Sequence, residues 1–160
     1  MMNTGIILEL ARIRDNQRLA EMSRDLIERG LGWSWTPARI HRKILCPENI
    51  VLVARAGNEL AGFAIMYVGM EEARLNLLAV DPGHRRKGIG RRLVQWLEES
   101  ALVAGVSVVY LEVRANARGA QQFYRKLGYR PVQCVRGYYA GREAALRMAR
   151  DLWCGTPNKV

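Results

Sequence analysis

The chain has 160 residues, and its 25 Lys and Arg against 15 Asp and Glu give a formal net charge of +10 and a pI near 10.2. That length suits one domain with a single core, and a composition 49% hydrophobic and 25% charged excludes a disordered or collagen-like chain. The charge is uneven: residues 1–80 hold 10 basic and 9 acidic side chains, whereas residues 81–150 hold 14 and 5. The second half is expected to meet something anionic, with nucleic acid, a phosphorylated cofactor, an acidic protein surface and plain solubility all open.

Residues 1–11 have no cationic flank before their short apolar run, and Glu9 interrupts that run, so no signal peptide is expected. No stretch approaches the roughly 20 apolar residues that span a bilayer, and no membrane partner is expected. Cys46, Cys134 and Cys154 are odd in number and lack CxxC spacing, with His41 and His84 the only histidines. The expectation is a cytoplasmic protein with reduced thiols and no metal site.

In chain order, residues 5–12 predict a strand. Residues 14–29 predict a helix with Leu19, Met22, Leu26 and Ile27 on one face, ending near Gly30. Thr36 and Pro37 are suited to cap and open a second helix, which Cys46-Pro47 closes. Residues 50–56 and 60–69 read as an antiparallel hairpin turning at Gly57-Asn58, and 73–80 as a strand stopped by Asp81-Pro82-Gly83. Gly88 to Ala104 places Ile89, Leu93, Trp96, Leu97, Ala101 and Ala104 on one helical face, and residues 106–114 form a strand. Ala120, Phe123, Tyr124 and Leu127 line a further helix that ends at Gly128. Two last strands, 129–135 and 143–151, flank a loop at 136–142.

The most informative segment runs from Leu78 through Arg92. A strand ends, a basic glycine-bearing turn follows, and a helix begins. The first amides of a helix have no internal partners and, with the helix dipole, form an anion site. Gly88 and Gly90 let a phosphate approach without meeting a Cβ, and Arg85, Arg86, Lys87, Arg91 and Arg92 add charge of the same sign. Leu93 stands where the Rossmann pattern needs a third glycine, and no Gly-Lys-Ser/Thr follows as a P-loop would require. Binding of a pyrophosphate is expected; a capped helix with a solvated charge run is the alternative.

The run Arg85-Arg86-Lys87-Gly88-Ile89-Gly90 resembles the Q/R-x-x-G-x-G/A motif of the GNAT superfamily of acetyl-CoA-dependent N-acetyltransferases. The resemblance continues through Leu111-Glu112-Val113-Arg114, Phe123–Tyr129 and Gly137-Tyr138-Tyr139, and is greatest to the ribosomal-protein-alanine N-acetyltransferase (RimI-like) branch. It implies one N-acetyltransferase domain over residues 1–160, in the α/β (α+β) class. That fold has a mixed, mostly antiparallel sheet of about seven strands splayed between the fourth and fifth, flanked by about four helices. It also implies acetyl-CoA as co-substrate, its pantetheine arm pairing with Leu78, Ala79 and Val80 and its pyrophosphate on the amides from Arg86 to Arg91.

Acetylation of an amine needs a neutral amine, a stabilised oxyanion and a proton for the departing thiolate. Glu112 is a candidate base: Val109, Leu111 and Val113 alternate onto one strand face and leave Tyr110, Glu112 and Arg114 on the other. The same residue fits simple pairing with Arg114 or a neighbouring strand's cation. Tyr124 lies on the apolar stripe of its helix, where an aromatic serves the core. The resemblance gives it another role, because the family's tyrosine twelve residues after the glutamate protonates the thiolate. The family's coenzyme-touching asparagine falls here on Ala117; Asn116, one place earlier, is either its replacement or a helix cap.

On the acceptor side, Trp33, Trp35, Tyr138 and Tyr139 fall in predicted loops and are candidates for a binding wall, or else fold onto the core. The basic stretch Arg39–Lys43 reads as a solvated helix face. The leading expectation is acetyl transfer to a primary amine by direct attack in a ternary complex, the acceptor being a protein N-terminus such as that of a ribosomal protein. Acetylation of a polyamine, antibiotic or amino acid is the alternative, and a non-catalytic ribosome- or nucleic-acid-binding module is a third; either a monomer or a homodimer fits.

Overall fold

The computed structural model describes residues 5–139, 141 and 143–153, so Cys154, Ala140 and Arg142 lie outside the described residues. The elements in order are β1 (Ile6–Leu10), a 3-10 turn (Ile13–Asp15), α1 (Asn16–Leu26), α2 (Pro37–Leu45), β2 (Asn49–Ala56), β3 (Glu59–Val68) and β4 (Ala73–Val80). There follow a second 3-10 turn (Pro82–His84), α3 (Ile89–Val103), β5 (Val108–Arg114), α4 (Arg118–Lys126), β6 (Arg130–Tyr139) and β7 (Glu143–Asp151). The strands hydrogen-bond in the order β1-β2-β3-β4-β5-β7-β6. This is the mixed seven-stranded sheet with four α-helices that the resemblance implies.

Contacts divide the chain into two units: one runs to Tyr67 and includes Asn76–Leu97, and the other combines Val68–Leu75 with the chain from Glu98 onward. In the first unit β2 and β3 pair antiparallel, Ile50 opposite Met66 and Val53 opposite Phe63. Both strands are buried along their middles on both faces, which explains their continuous apolar runs. Leu19 and Met22 of α1 and Ile40 of α2 pack with Val51, Val53, Phe63, Ile65, Leu77 and Ala79 into one apolar cluster. Thr36 caps α2 by accepting the Arg39 amide at 3.3 Å, with Pro37 in the first turn, as expected.

The segment between α1 and α2 is held by a buried carboxylate. Glu28 accepts from Ser23 Oγ at 2.8 Å, from the Ser34 amide at 2.7 Å and from Ser34 Oγ at 2.6 Å. These bonds offset the desolvation of Glu28 and fix the loop that carries Trp33 and Trp35. In β3, Gly62 admits a close neighbour: a Cβ there would stand 2.8 Å from the Ala79 carbonyl oxygen of β4.

In the second unit β5 pairs antiparallel with β7, and β7 with β6. The parallel ladder of β4 on β5 covers Ala73–Leu75 against Val109–Leu111, so the expected parting of the fourth and fifth strands shows as a three-residue ladder. Helix α4 ends as predicted at Gly128, whose φ is +100°. The Gly128 amide donates to the Arg125 carbonyl and the Tyr129 amide to the Tyr124 carbonyl, both at 3.0 Å, the paired bonds of a left-handed glycine stop.

Several boundaries differ from expectation. Helix α1 is shorter because Ile13–Asp15 form a separate 3-10 turn with Asp15 accepting the Arg12 amide at 2.8 Å. Ala104 and Ala120 are exposed, and Val94 is buried on α3. Strand β6 runs on through Gly137, which takes a φ of +65°, to Tyr139, so Tyr138 and Tyr139 stand on a strand and not in a loop.

Candidate active site

In the first unit, β4 delivers Leu78, Ala79 and Val80 to the glycine turn, with Ala79 buried and its neighbours half-buried. Asp81 shapes the exit: its amide donates to the Ala61 carbonyl at 2.8 Å and its Oδ2 accepts the Gly83 amide at 3.1 Å. The turn then takes two left-handed residues, Arg86 (φ +65°) and Gly88 (φ +74°). Such alternation turns successive amides to one side and forms an anion-binding concavity. Helix α3 follows at once, its first bond running from the Arg92 amide to the Gly88 carbonyl at 3.1 Å. The amides from Ile89 to Arg91 therefore open the helix without intrahelical partners.

The five basic side chains of this turn divide. Arg85 Nε reaches back to the Val80 carbonyl at 3.4 Å, and Arg92 donates to the Ile6 carbonyl at 3.2 Å. Arg86, Lys87 and Arg91 make no hydrogen bond or ion pair among the described residues and remain available to an anion. Ile89 is buried, and Gly90 lies in the first turn of α3. The cradle fits a pyrophosphate through its backbone.

Arg86 and Gly88 differ in what substitution does. Gly88→Val puts a β-branched residue at positive φ, at a strain of about 1–2 kcal/mol, and is expected to raise the Kd for coenzyme A about tenfold in a calorimetric titration. Arg86→Gly keeps the amide and is expected to leave that Kd within about twofold. An equal loss in both would move the recognition from backbone to side chains.

In the second unit, β5 alternates as predicted and turns Glu112 to the open face. The Glu112 side chain is nevertheless only 5% exposed. Arg74 Nη1 donates to Oε2 at 2.7 Å and to Oε1 at 3.0 Å, Arg147 Nε to Oε2 at 2.6 Å, and the Tyr138 hydroxyl to Oε1 at 3.2 Å. Burial alone would push the carboxyl up; the hydrogen bonds and charges of Arg147 and Arg74 outweigh it and hold Glu112 below the ordinary carboxylate value. Arg114 is not its partner and pairs instead with Glu143 at 3.6 Å. Burial and the charge of Glu112 push the Tyr138 hydroxyl up.

Tyr124 is 8% exposed and held edge-on by Phe123 at 5.1 Å and Tyr129 at 5.7 Å between ring centroids. Its hydroxyl has no hydrogen-bond partner among the described residues, and burial keeps it protonated far above neutral pH. Tyr129 in turn donates to buried Glu98 at 2.8 Å, whose other oxygen accepts Arg150 Nη1 at 2.8 Å.

The remaining sequence candidates are placed differently. Trp35 lies in the first unit's core under Arg39, whose guanidinium sits 3.8 Å from the ring centroid, so it is core and not exposed wall. Trp33 is 38% exposed, its Nε1 donating to the Ala20 carbonyl at 3.0 Å. Asn116 is exposed and does not cap α4, whose N-cap is Ala117. The β5–α4 turn is tied instead by Gln121 Nε2, which donates to the Arg114 and Ala115 carbonyls at 3.1 and 2.9 Å. Tyr138 is 45% exposed, and Tyr139 meets it edge-on at 4.9 Å.

Arg74, Arg147, Glu98, Tyr129 and Arg150 were not singled out from the sequence. The available signal for Arg147 was a charged residue within an otherwise apolar alternation, Ala145 to Ala149.

The family described as "Acetyltransferase (GNAT) family" matches residues 19–129. Over 143 residues the chain is 37% identical to N-alpha-acetyltransferase RimI of Mycobacterium tuberculosis, covering 86% of this chain and 87% of that one. It is 40% identical over 94 residues to the ribosomal protein bS18-alanine N-acetyltransferase of Escherichia coli, a match covering 57% of this chain and 64% of that protein. The crystal structure of the ribosomal-protein-S18-alanine N-acetyltransferase from Escherichia coli aligns with a TM-score of 0.77 at 25% identity, covering 96% of this chain and 97% of that one. The PaiA N-acetyltransferase of Thermoplasma acidophilum, solved in complex with coenzyme A, shares the fold with a TM-score of 0.78 at 19% identity, covering 92% and 99% of the two chains. Among the described residues no helix is long and apolar enough to cross a membrane.

Proposed function

The chain belongs to the GNAT acetyltransferase family and is an N-acetyltransferase, and on that premise we propose that it carries acetyl from acetyl-CoA to the α-amine of a protein N-terminus. In this reading residues 1–160 act as one catalytic domain. The observation that carries the cofactor assignment is the left-handed pair Arg86 and Gly88 ahead of the open amides of α3. The acceptor assignment is supported by the relative that is 37% identical along most of both chains, an N-alpha-acetyltransferase. A ribosomal protein is the proposed partner class, and the cytoplasm the proposed setting, where Cys46 and Cys134 stay reduced.

Acetyl-CoA supplies an acyl carbon activated as a thioester. The amine nitrogen attacks that carbon directly and the carbon–sulfur bond breaks. Glu112 receives, through water, the proton that the nitrogen sheds. Tyr124 directs its hydroxyl proton to the sulfur as negative charge develops there. Leu78, Ala79 and Val80 offer backbone groups to the pantetheine arm, and the turn from Arg85 to Arg91 takes the pyrophosphate. Coenzyme A carries about −4 at neutral pH, its phosphate monoester near −2. It therefore accounts for only part of the basic surplus of residues 81–150.

The test is thiol release from acetyl-CoA against a panel of lysine-free N-terminal peptides, polyamines, amino acids and aminoglycosides, with coenzyme A thermal shifts alongside. Peptides are expected to be the preferred acceptors, and saturating coenzyme A to raise the Tm, because a ligand that binds only the native state stabilises it. Turnover confined to polyamines or antibiotics would replace the acceptor. An absent thermal shift would remove the cofactor site.

A further inference from the structure

We propose that Arg74 and Arg147 make this enzyme selective for α-amines over alkyl amines, by clamping Glu112 between two guanidiniums so that it cannot take the proton of an alkyl ammonium. The inference rests on the Nα reading above and names the residues that enforce it. The geometry is a saturated carboxylate. Two oxygens offer about four lone-pair sites, and three donor groups make four contacts with them: Arg74 Nη1 straddles both oxygens, Arg147 Nε adds to Oε2 and the Tyr138 hydroxyl to Oε1. A proton can be accepted only where one of these donors leaves.

Three of those contacts are 2.6–3.0 Å long and charge-assisted. The fourth, from the 45%-exposed Tyr138, is 3.2 Å and neutral. Tyr138 is therefore the replaceable donor, and the Oε1 site behind it is where water reaches Glu112.

The clamp is built by strand register. Arg147 is the cross-strand partner of Glu112 on β7. Arg74 on β4 is the partner of Tyr110, and so reaches Glu112 diagonally from the other side. The outer groups hold the guanidiniums in place. Glu72 lies 3.8 Å from Arg74, and the Tyr110 ring centroid 5.9 Å from its guanidinium carbon. The Gln133 side-chain oxygen accepts Arg147 Nη1 at 2.9 Å. On the strand of Glu112 itself Arg114 is turned to Glu143, and on β6 Tyr139 meets Tyr138 edge-on.

The chemical consequence follows from amine basicity. An α-amino group, with a pKa of about 7.7–8.0, is neutral in roughly one molecule in ten at pH 7, whereas an alkyl amine near 10.4 is neutral in about one in 2,500. The neutral α-amine attacks unaided, and its nitrogen protons become acidic once the new bond forms, so a weak water-linked carboxylate suffices. An alkyl ammonium must lose its proton first, which a clamped carboxylate does not accomplish.

The test compares wild type with Arg74→Met, Arg147→Met and Arg147→Lys, using a lysine-free N-terminal peptide and an alkyl diamine as acceptors. Wild type is expected to favour the peptide by about 10² in kcat/KM at pH 7, as the neutral fractions dictate. Each Met variant should lower that preference roughly tenfold and bring a new acid-side titration into its kcat–pH profile. Lys at 147 should restore both. Where Arg74→Met does not fold, Arg74→Gln takes its place. A wild-type preference for the diamine would overturn the Nα reading. A peptide preference and pH profile unchanged in every folded arginine variant would overturn the clamp while leaving that reading intact.

Discussion

Tyr124→Phe is expected to lower kcat about 10²–10³-fold, the scale for removing one donor aimed at developing charge, while the KM for acetyl-CoA stays within about twofold. The ring is held by Phe123 and Tyr129 through edge contacts that a phenyl group keeps, so the melting temperature should hardly move. What is lost is a hydroxyl with no hydrogen-bond partner among the described residues, kept protonated by burial across the working pH range. A thiol is ordinarily more acidic than a phenol. In the proposed mechanism Tyr124 therefore acts by hydrogen-bonding the sulfur as the bond breaks, and the expected effect belongs to kcat. Steady-state kinetics at saturating peptide check this; an unchanged kcat would return Tyr124 to a packing role.

Gly62→Ala is expected to have the largest effect on cofactor affinity outside the glycine turn. The added methyl would stand 2.8 Å from the Ala79 carbonyl oxygen and 3.4 Å from Ile89 Cγ2. The nearest atom is backbone, so β4 must shift. Such overpacking costs about 1–3 kcal/mol, which should lower Tm by several degrees in a chain of this size. Because Ala79 belongs to the segment proposed to pair with the pantetheine arm, the KM for acetyl-CoA should rise about tenfold with kcat little changed. Gly119→Ala is the control: it lies on α4 with nothing within 4 Å of its Cβ, and helix propensity favours alanine there. Equal melting and KM in both variants would dissociate Gly62 from the cofactor segment.

The local chemistry of the glycine turn and of β5 was readable because it depends on nearest neighbours. The strand, basic turn and helix around Gly88 follow from glycine placement, and the side of β5 that carries Glu112 follows from alternation alone. The environment of Glu112 was not readable, because Arg74 and Arg147 lie 38 and 35 residues away and meet it through strand register. Separations of 31 and 52 residues likewise hid the Tyr129–Glu98–Arg150 group, although Tyr129 sits inside the recognised motif. Gly137 misled in another way. A glycine beside two tyrosines reads as loop, but β6 absorbs it at positive φ within a register shift between Val135 and Tyr139. Trp35 was ambiguous because an aromatic suits a core as well as a wall, and only packing decides it.

Acetyl transfer to an N-terminal nitrogen is read out by tandem mass spectrometry. The substrate is a peptide bearing one free α-amine and one lysine, incubated with the enzyme and acetyl-CoA at neutral pH. A single acetyl group is expected on the α-nitrogen, formed by wild type and nearly absent with Tyr124→Phe at equal time. Acetyl found only on the lysine nitrogen, or none transferred to the peptide while a polyamine is acetylated, would contradict it.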